Sequence, residues 1–163
     1  MTSSLERKIR IAREMPKHLA ALTEYAGRAI AQGDLLSVEE TARIQQQLRF
    51  RGEVSKVTRR LSFDDRLGLV FARFIRALCA ANSGPVQVWI KTTSDCGLLV
   101  LPSVADFNVA FDYETDANGV VTLRTADLEN ELLLDYFEEH GQRLLEVETS
   151  GPDWRPHVFE LDS

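Results

Sequence analysis

The hydrophobic repeat of this chain changes period once, at Pro85, and that change limits what the chain can fold into. Upstream, apolar residues recur every three to four positions. Leu67, Val70, Phe71, Phe74, Ala77 and Leu78 form one broad stripe, with Arg66, Arg73 and Arg76 mostly off it. Downstream the repeat is two: Val86, Val88 and Ile90 alternate with Gln87, Trp89 and Lys91, and Leu145 and Val147 alternate with Glu146 and Glu148. Phe107, Val109, Phe111 and Tyr113 alternate with Asn108, Ala110 and Asp112 in the same way, and Val121 and Leu123 with Thr122 and Arg124. A stripe at helical spacing cannot present one face as a strand, nor the reverse. The order of elements is therefore helices first and antiparallel strands second, an α+β chain. The strand runs begin every 10 to 12 residues, as in a meander. Each half has an apolar face that it cannot hide alone. The expectation is one domain over residues 1–163, with an N-terminal layer of four or five helices (1–82) packed on a C-terminal antiparallel β-meander (83–163).

Local signals set the boundaries. Ser3–Glu6, Ser37–Glu40 and Ser62–Asp65 have capping-box spacing and predict three helix starts. Pro16 suits the first turn of a helix, where its missing N–H costs nothing, and Gly33 suits a left-handed C-terminal position beyond Leu19, Leu22, Ala26 and Ala29. The second box predicts a helix to about Phe50, and a short helix is expected over Glu53–Arg60 after Gly52. The third predicts the apolar helix that ends at Asn82 and Gly84. Asp95-Cys96-Gly97 reads as a tight turn between strands 86–92 and 98–101, and Asp116-Ala117-Asn118-Gly119 as a hairpin turn. Residues 126–141 admit two readings. Leu128, Leu132 and Tyr136 at intervals of four permit a helix, whereas Glu131–Phe137 turning at Glu138–Gln142 into Arg143–Thr149 makes a hairpin that keeps the strand spacing and is preferred.

Nothing in the sequence marks a reaction. His18, His140 and His157 are too far apart for a short-spaced metal motif, and no Cys-x-x-Cys or His-Glu-x-x-His occurs. Cys96 is the one conceivable nucleophile, but sequence places no base beside it, and with Cys79 it makes no disulfide framework. No pair among the carboxylates is singled out, and the glycines are isolated rather than gathered into a phosphate-cradling loop. No cofactor and no catalytic residue are expected, and the reading is non-enzymatic. No stretch approaches the roughly 18 consecutive apolar residues of a membrane span. The basic N-terminus lacks the apolar run of a secretory signal, so the expected compartment is the cytoplasm and no membrane partner is expected.

Charge says more about partners. Residues 1–82 hold 15 Lys+Arg and 9 Asp+Glu, whereas residues 83–163 hold 4 and 16. Such a split shapes the field that a partner meets. Gln45–Leu61 has the outline of two helices around a Gly-bearing turn, and Arg49, Arg51, Lys56, Arg59 and Arg60 could neutralise phosphates, which makes a nucleic-acid-binding regulator the alternative function. The net charge of −6 argues against direct nucleic-acid binding. The acidic half suits a basic macromolecule. The strand phases turn Glu146 and Glu148 outward with Asp112 and Glu114. Asp135, Glu138, Glu139 and Asp153 lie on or near the same hairpin and its exit. Trp89 points away from Val88 and Ile90, and Trp154 sits in a loop stiffened by Pro152 and Pro156. Both tryptophans are candidate anchors or, equally, core closures.

The stretch Leu132–Trp154, LLLDYFEEHGQRLLEVETSGPDW, resembles the C-terminal hairpin of bacterial immunity proteins, which protect cells from contact-dependent growth inhibition and related polymorphic toxins. An apolar-Asp-aromatic strand, an acidic turn with Gly, a Leu-Glu-Val-Glu strand and an Asp-Trp loop carry the resemblance over 23 of 163 residues. It implies a cytoplasmic, non-enzymatic protein that binds the C-terminal domain of a cognate toxin. A basic nuclease-type toxin fits the charge. The candidate contacts are Asp135, Glu138, Glu139, Glu146, Glu148, Asp153 and Trp154.

Overall fold

A computed structural model describes residues 3–112 and 119–162. The fold class is the expected α+β: helices packed with a six-stranded antiparallel sheet, α1 and α3 on one face and the end of α2 over part of the other. The α-helices are α1 (Ser4–Ala26), α2 (Val38–Arg49), α3 (Leu69–Ala81) and the single turn α4 (Thr93–Cys96). The strands are β1 (Lys56–Ser62), β2 (Val86–Trp89), β3 (Leu99–Leu101), β4 (Val120–Thr125), β5 (Glu131–Glu139) and β6 (Gln142–Ser150), in the order β1-β6-β5-β4-β2-β3.

The largest departure from the sequence reading is β1. Residues 53–60 do not form a short helix. Val57, Arg59 and Leu61 instead turn to the helical side of the sheet, and β1 pairs along its whole length with β6, from Lys56 opposite Ser150 to Ser62 opposite Leu144. Local propensity here is weak, and seven residues of pairing with an existing edge outweigh it. Only β4, β5 and β6 form a true meander, and the favoured hairpin reading of 126–141 is the one observed. Its loop is only His140-Gly141, with φ of 52° and 77°. Two positive φ values are what a two-residue hairpin with native twist requires.

Other boundaries move for identifiable reasons. Ser3 caps α1 with a complete capping box, but the helix continues through Pro16 to Gly27, whose φ is 65°. Pro16 and Ala12 both face solvent, so the Ala12 carbonyl that loses its intrahelical donor can bond water. Gly33 is thus not the terminator. The third box opens a 3-10 turn over Phe63–Leu67, where the Asp65 carboxylate accepts from the Ser62 N–H at 3.2 Å. Extended Gly68 separates that turn from α3. Residues 107–112 are irregular, not a strand. Their polar groups go to the end of α1: the Asn108 N–H donates to the Tyr25 carbonyl at 2.7 Å and its side-chain amide to the Glu24 carbonyl at 2.9 Å. Tyr113, Glu114 and the turn residues Asp116–Asn118 lie outside the described residues.

The core is one cluster drawn from both halves. His18, Ala21, Leu22 and Tyr25 of α1, and Phe71, Phe74, Ile75 and Leu78 of α3, repeat the i, i+3, i+4, i+7 pattern of a buried helix face. The apolar residues of these two faces meet Val86, Val88, Leu123, Leu132, Leu134, Tyr136, Leu145 and Val147 from the strands. Phe107 and Phe111 join Tyr25, Phe63 and Tyr136 in an aromatic group with ring centroids 5.0–5.9 Å apart. The Arg66 guanidinium lies over the Phe63 ring at 3.7 Å and donates to the carbonyls of Phe63 and Phe111.

Asn130, wholly buried in the turn between β4 and β5, fixes the far end of the sheet. Its Oδ1 accepts from the N–H groups of Asp153 (2.8 Å) and Trp154 (3.2 Å), and its Nδ2 donates to Asp153 Oδ2 (3.0 Å). Trp154, with no exposed surface, donates its indole N–H to the Leu78 carbonyl at 3.1 Å near the end of α3. Replacing Asn130 by Ala strands two backbone donors in the interior. The expected loss is about 2–3 kcal/mol, measured by urea denaturation.

His18 ties α1 to α4. Its Nε2 donates to the Gly97 carbonyl at 2.8 Å, which leaves Nδ1 to accept from the Thr92 hydroxyl at 2.7 Å. Burial lowers its pKa from the ordinary 6.5, and the Gly97 carbonyl only partly opposes this. The neutral ring's contribution is complete above pH 6.5. It is lost as the pH falls below 6.5, where the unfolded chain takes up the proton first, and through the lower folded value. Unfolding free energy should therefore decline below that pH in the wild type and decline less in His18→Gln.

Candidate functional site on the outer face of the sheet

The face of the sheet turned away from α1 and α3 is read directly from the strand register. One row across it runs Gln87, Arg124, Glu131, Ser150, Lys56; the next runs Trp89, Thr122, Leu133, Glu148, Thr58. The third is Val120, Asp135, Glu146, Arg60, and the last Phe137, Leu144, Ser62. Over β2 and β4 this face is covered. Thr41 of α2 is held against β3 by the Leu98 N–H, and Leu35 bridges to Leu99. The end of α2 and residues 51–54 then pass over the first rows. Gln87, Trp89 and Thr122 are buried although they point away from the core. Over β5, β6 and β1 the same face is open. Leu133, Phe137 and Leu144 are half-buried there among carboxylates, and Val120 of β4 lies half-buried at the boundary with the covered part.

Four of the seven predicted contacts, Asp135, Glu139, Glu146 and Glu148, gather at this open part, and Glu138 borders it at the hairpin end. Asp135 and Glu146 stand directly opposite each other, Glu148 is one row away, and Glu139 follows in the same phase. Glu138, in the opposite phase on the helical side, is exposed only because it borders the hairpin loop, which is exposed throughout residues 138–143. The other two do not belong to it. Trp154 is sealed in the core and Asp153 is held by Asn130 and Asn82, so the expectation that this loop presents an aromatic anchor is corrected. The Gly151 turn, with φ of 101°, folds the loop inward under the β4–β5 turn. Trp89 does point outward, but lies beneath the Arg124 guanidinium at 5.2 Å and bonds Gln87.

The basic strand β1 answers much of the acidic charge. Arg60 donates to Glu139 at 3.2 Å and to Glu146 at 3.3 Å, and its guanidinium lies over Phe137. Lys56 is 3.7 Å from Glu148, Arg51 is 3.7 Å from Glu131, and Arg59 binds Asp162 on the opposite side of the strand at 2.7 Å. The helix–turn–helix outline of 45–61 is absent, because its second half is β1.

Asp135 is the exception. It is half-buried, and no described residue gives its carboxylate a hydrogen bond or an ion pair. Burial raises its pKa above the ordinary 3.8, and the Glu146 carboxylate across the pair raises it further. Like charges directly opposite on neighbouring strands are destabilising. Arg60 serves Glu139 and Glu146 and leaves this carboxylate unserved. Sequence alternation could place Asp135 and Glu146 on one face, but it could not pair them, because the register depends on the two-residue loop.

Cys96 is buried, and its pKa is raised by that burial and by nearby Asp95 and Glu14, the opposite of what a thiolate nucleophile needs. Among the described residues no three His, Cys, Asp or Glu side chains gather as metal ligands, and no helix is long and apolar enough to cross a membrane. No known protein family, no curated protein and no solved structure matches this chain.

Asp135→Asn removes the like-charge pair without changing shape. At pH 7 the variant should be more stable than the wild type by about 0.2–1 kcal/mol. A raised carboxyl pKa in the folded state means that the wild type recovers this difference as the pH falls through the raised value. The two proteins should converge below about pH 3.8 in thermal melts across pH.

Proposed function

We propose that this chain is a non-enzymatic, cytoplasmic inhibitor of the immunity type, which binds a basic toxin domain through the open outer face of β5 and β6. The observation that carries the reading is the Asp135–Glu146 pair: a half-buried carboxylate facing another, beside Leu133, Phe137 and Leu144, on the part of the outer face that α2 leaves open. Arg60 answers only the Glu146 side of this pair, and the Asp135 carboxylate is left without a cation among the described residues. A guanidinium or ammonium group of a partner placed between the two carboxylates would relieve it, and the surrounding apolar side chains would bury on contact. The exposed Glu138 and Glu139 at the hairpin end extend the negative field outward and would speed encounter with a cationic surface. Resemblance of Leu132–Trp154 to the immunity hairpins supports the same segment. The nucleic-acid reading is weaker, because Arg51, Lys56, Arg59 and Arg60 already meet carboxylates of this chain.

The partner to test is the C-terminal domain of a large secreted protein encoded by the adjacent gene. Purified together, the two should form a complex whose association slows with added salt. Asp135→Asn should weaken it about tenfold, the worth of one charge-assisted contact, without lowering the melting temperature. Equal affinity of the variant and the wild type would remove this face from consideration.

A further inference from the structure

The covered part of the outer face holds a cleft of about 480 Å³, of the size of small-molecule sites and unlike the acidic part in character. Its polar lining is built from donors. Arg49, Lys91 and Arg124 enter it, and among the described residues no carboxylate lines it. Arg49, the last residue of α2, is exposed and bonds no described residue. Arg124 spends Nε on Glu131 at 3.0 Å and has its guanidinium over Trp89, so both Nη groups are left without a described partner. The Ser94 hydroxyl occupies Gln45 Oε1 at 3.1 Å, and the amide Nε2 remains the donor on offer. Apart from Thr122, the rest of the lining is apolar: Leu48, Trp89, Ile90 and Val120. Guanidinium groups with unspent donors beside an aromatic wall match a ligand with a negative group at one end and a flat, apolar body at the other.

We infer that this cleft binds a small aromatic anion of the mononucleotide kind, its phosphate held by Arg49 and Arg124 and its ring against Trp89. The site needs neither the acidic face nor a protein partner, so it stands or falls apart from the immunity reading.

The chain has two tryptophans, and Trp154 is sealed in the core, so indole fluorescence can report on Trp89. Titration of the full chain with AMP should give a saturable change that is absent in Trp89→Phe. Calorimetry on the wild type supplies the affinity without relying on that variant's fold. Arg49→Ala, at an exposed helix end, should weaken AMP about tenfold, whereas uncharged adenosine should bind no better than that variant binds AMP. Inorganic phosphate should compete with AMP. Absence of saturable AMP binding, or equal affinity in Arg49→Ala, overturns the inference. A response to single-stranded oligonucleotide with none to AMP also overturns it and reassigns the cleft to nucleic acid.

Discussion

The antiparallel pairing of β1 with β6 is the interaction on which the rest of this structure rests. It sews the basic first half of the chain to the acidic second half over seven consecutive residues. Without it β6 would be an open edge, the hairpin of β5 and β6 would hang from β4 alone, and Glu139, Glu146 and Glu148 would lose the cations that face them. The charge split between the two halves is therefore largely an internal matter. Most of the positive strand is consumed by its neighbour, and what the protein shows to a partner is the small remainder.

That remainder is sharper than the gross composition suggests. A net charge of −6 spread over a surface would describe many proteins. One carboxylate that the described residues leave unanswered, opposite another and beside half-buried apolar groups, is a specific place. The covered side of the same face has the inverse chemistry, with guanidinium donors around an indole. One sheet surface thus carries two regions of opposite sign, and the segment that separates them is the passage from α2 into β1, where Arg51 reaches Glu131.

The sequence made the architecture legible where period and punctuation agree. The strand after Pro85, the caps at Ser3 and Ser37, and a hairpin turn within 138–142 are signalled over a few residues, and each is found, the turn narrowed to His140-Gly141. The features that it hid are set by contacts distant in sequence. Nothing within 53–62 announces a strand, because the reason for that strand lies nearly ninety residues later in β6. Phe107 and Phe111 alternate like a strand yet are drawn into the aromatic group and onto the end of α1 through Asn108. Trp154 looked like an anchor because a Pro-bounded Asp-Trp loop is polar in composition; the buried Asn130 that turns it inward has no local signature. Of the site, the outward phase of Asp135, Glu146 and Glu148 was readable, but the isolation of Asp135 was not, since it follows from where Arg60 spends its bonds.

The long reach from β1 to β6 also sets an order of events during synthesis. When residues 56–62 leave the ribosome, the strand that completes them does not yet exist. Eighty residues must follow before β6 begins, and only then can this edge close. Contacts so far apart along the chain form late and slowly. Until they do, Arg59 and Arg60 stand unpaired on an unfinished edge, so the nascent protein presents a cationic ribbon that the finished one neutralises.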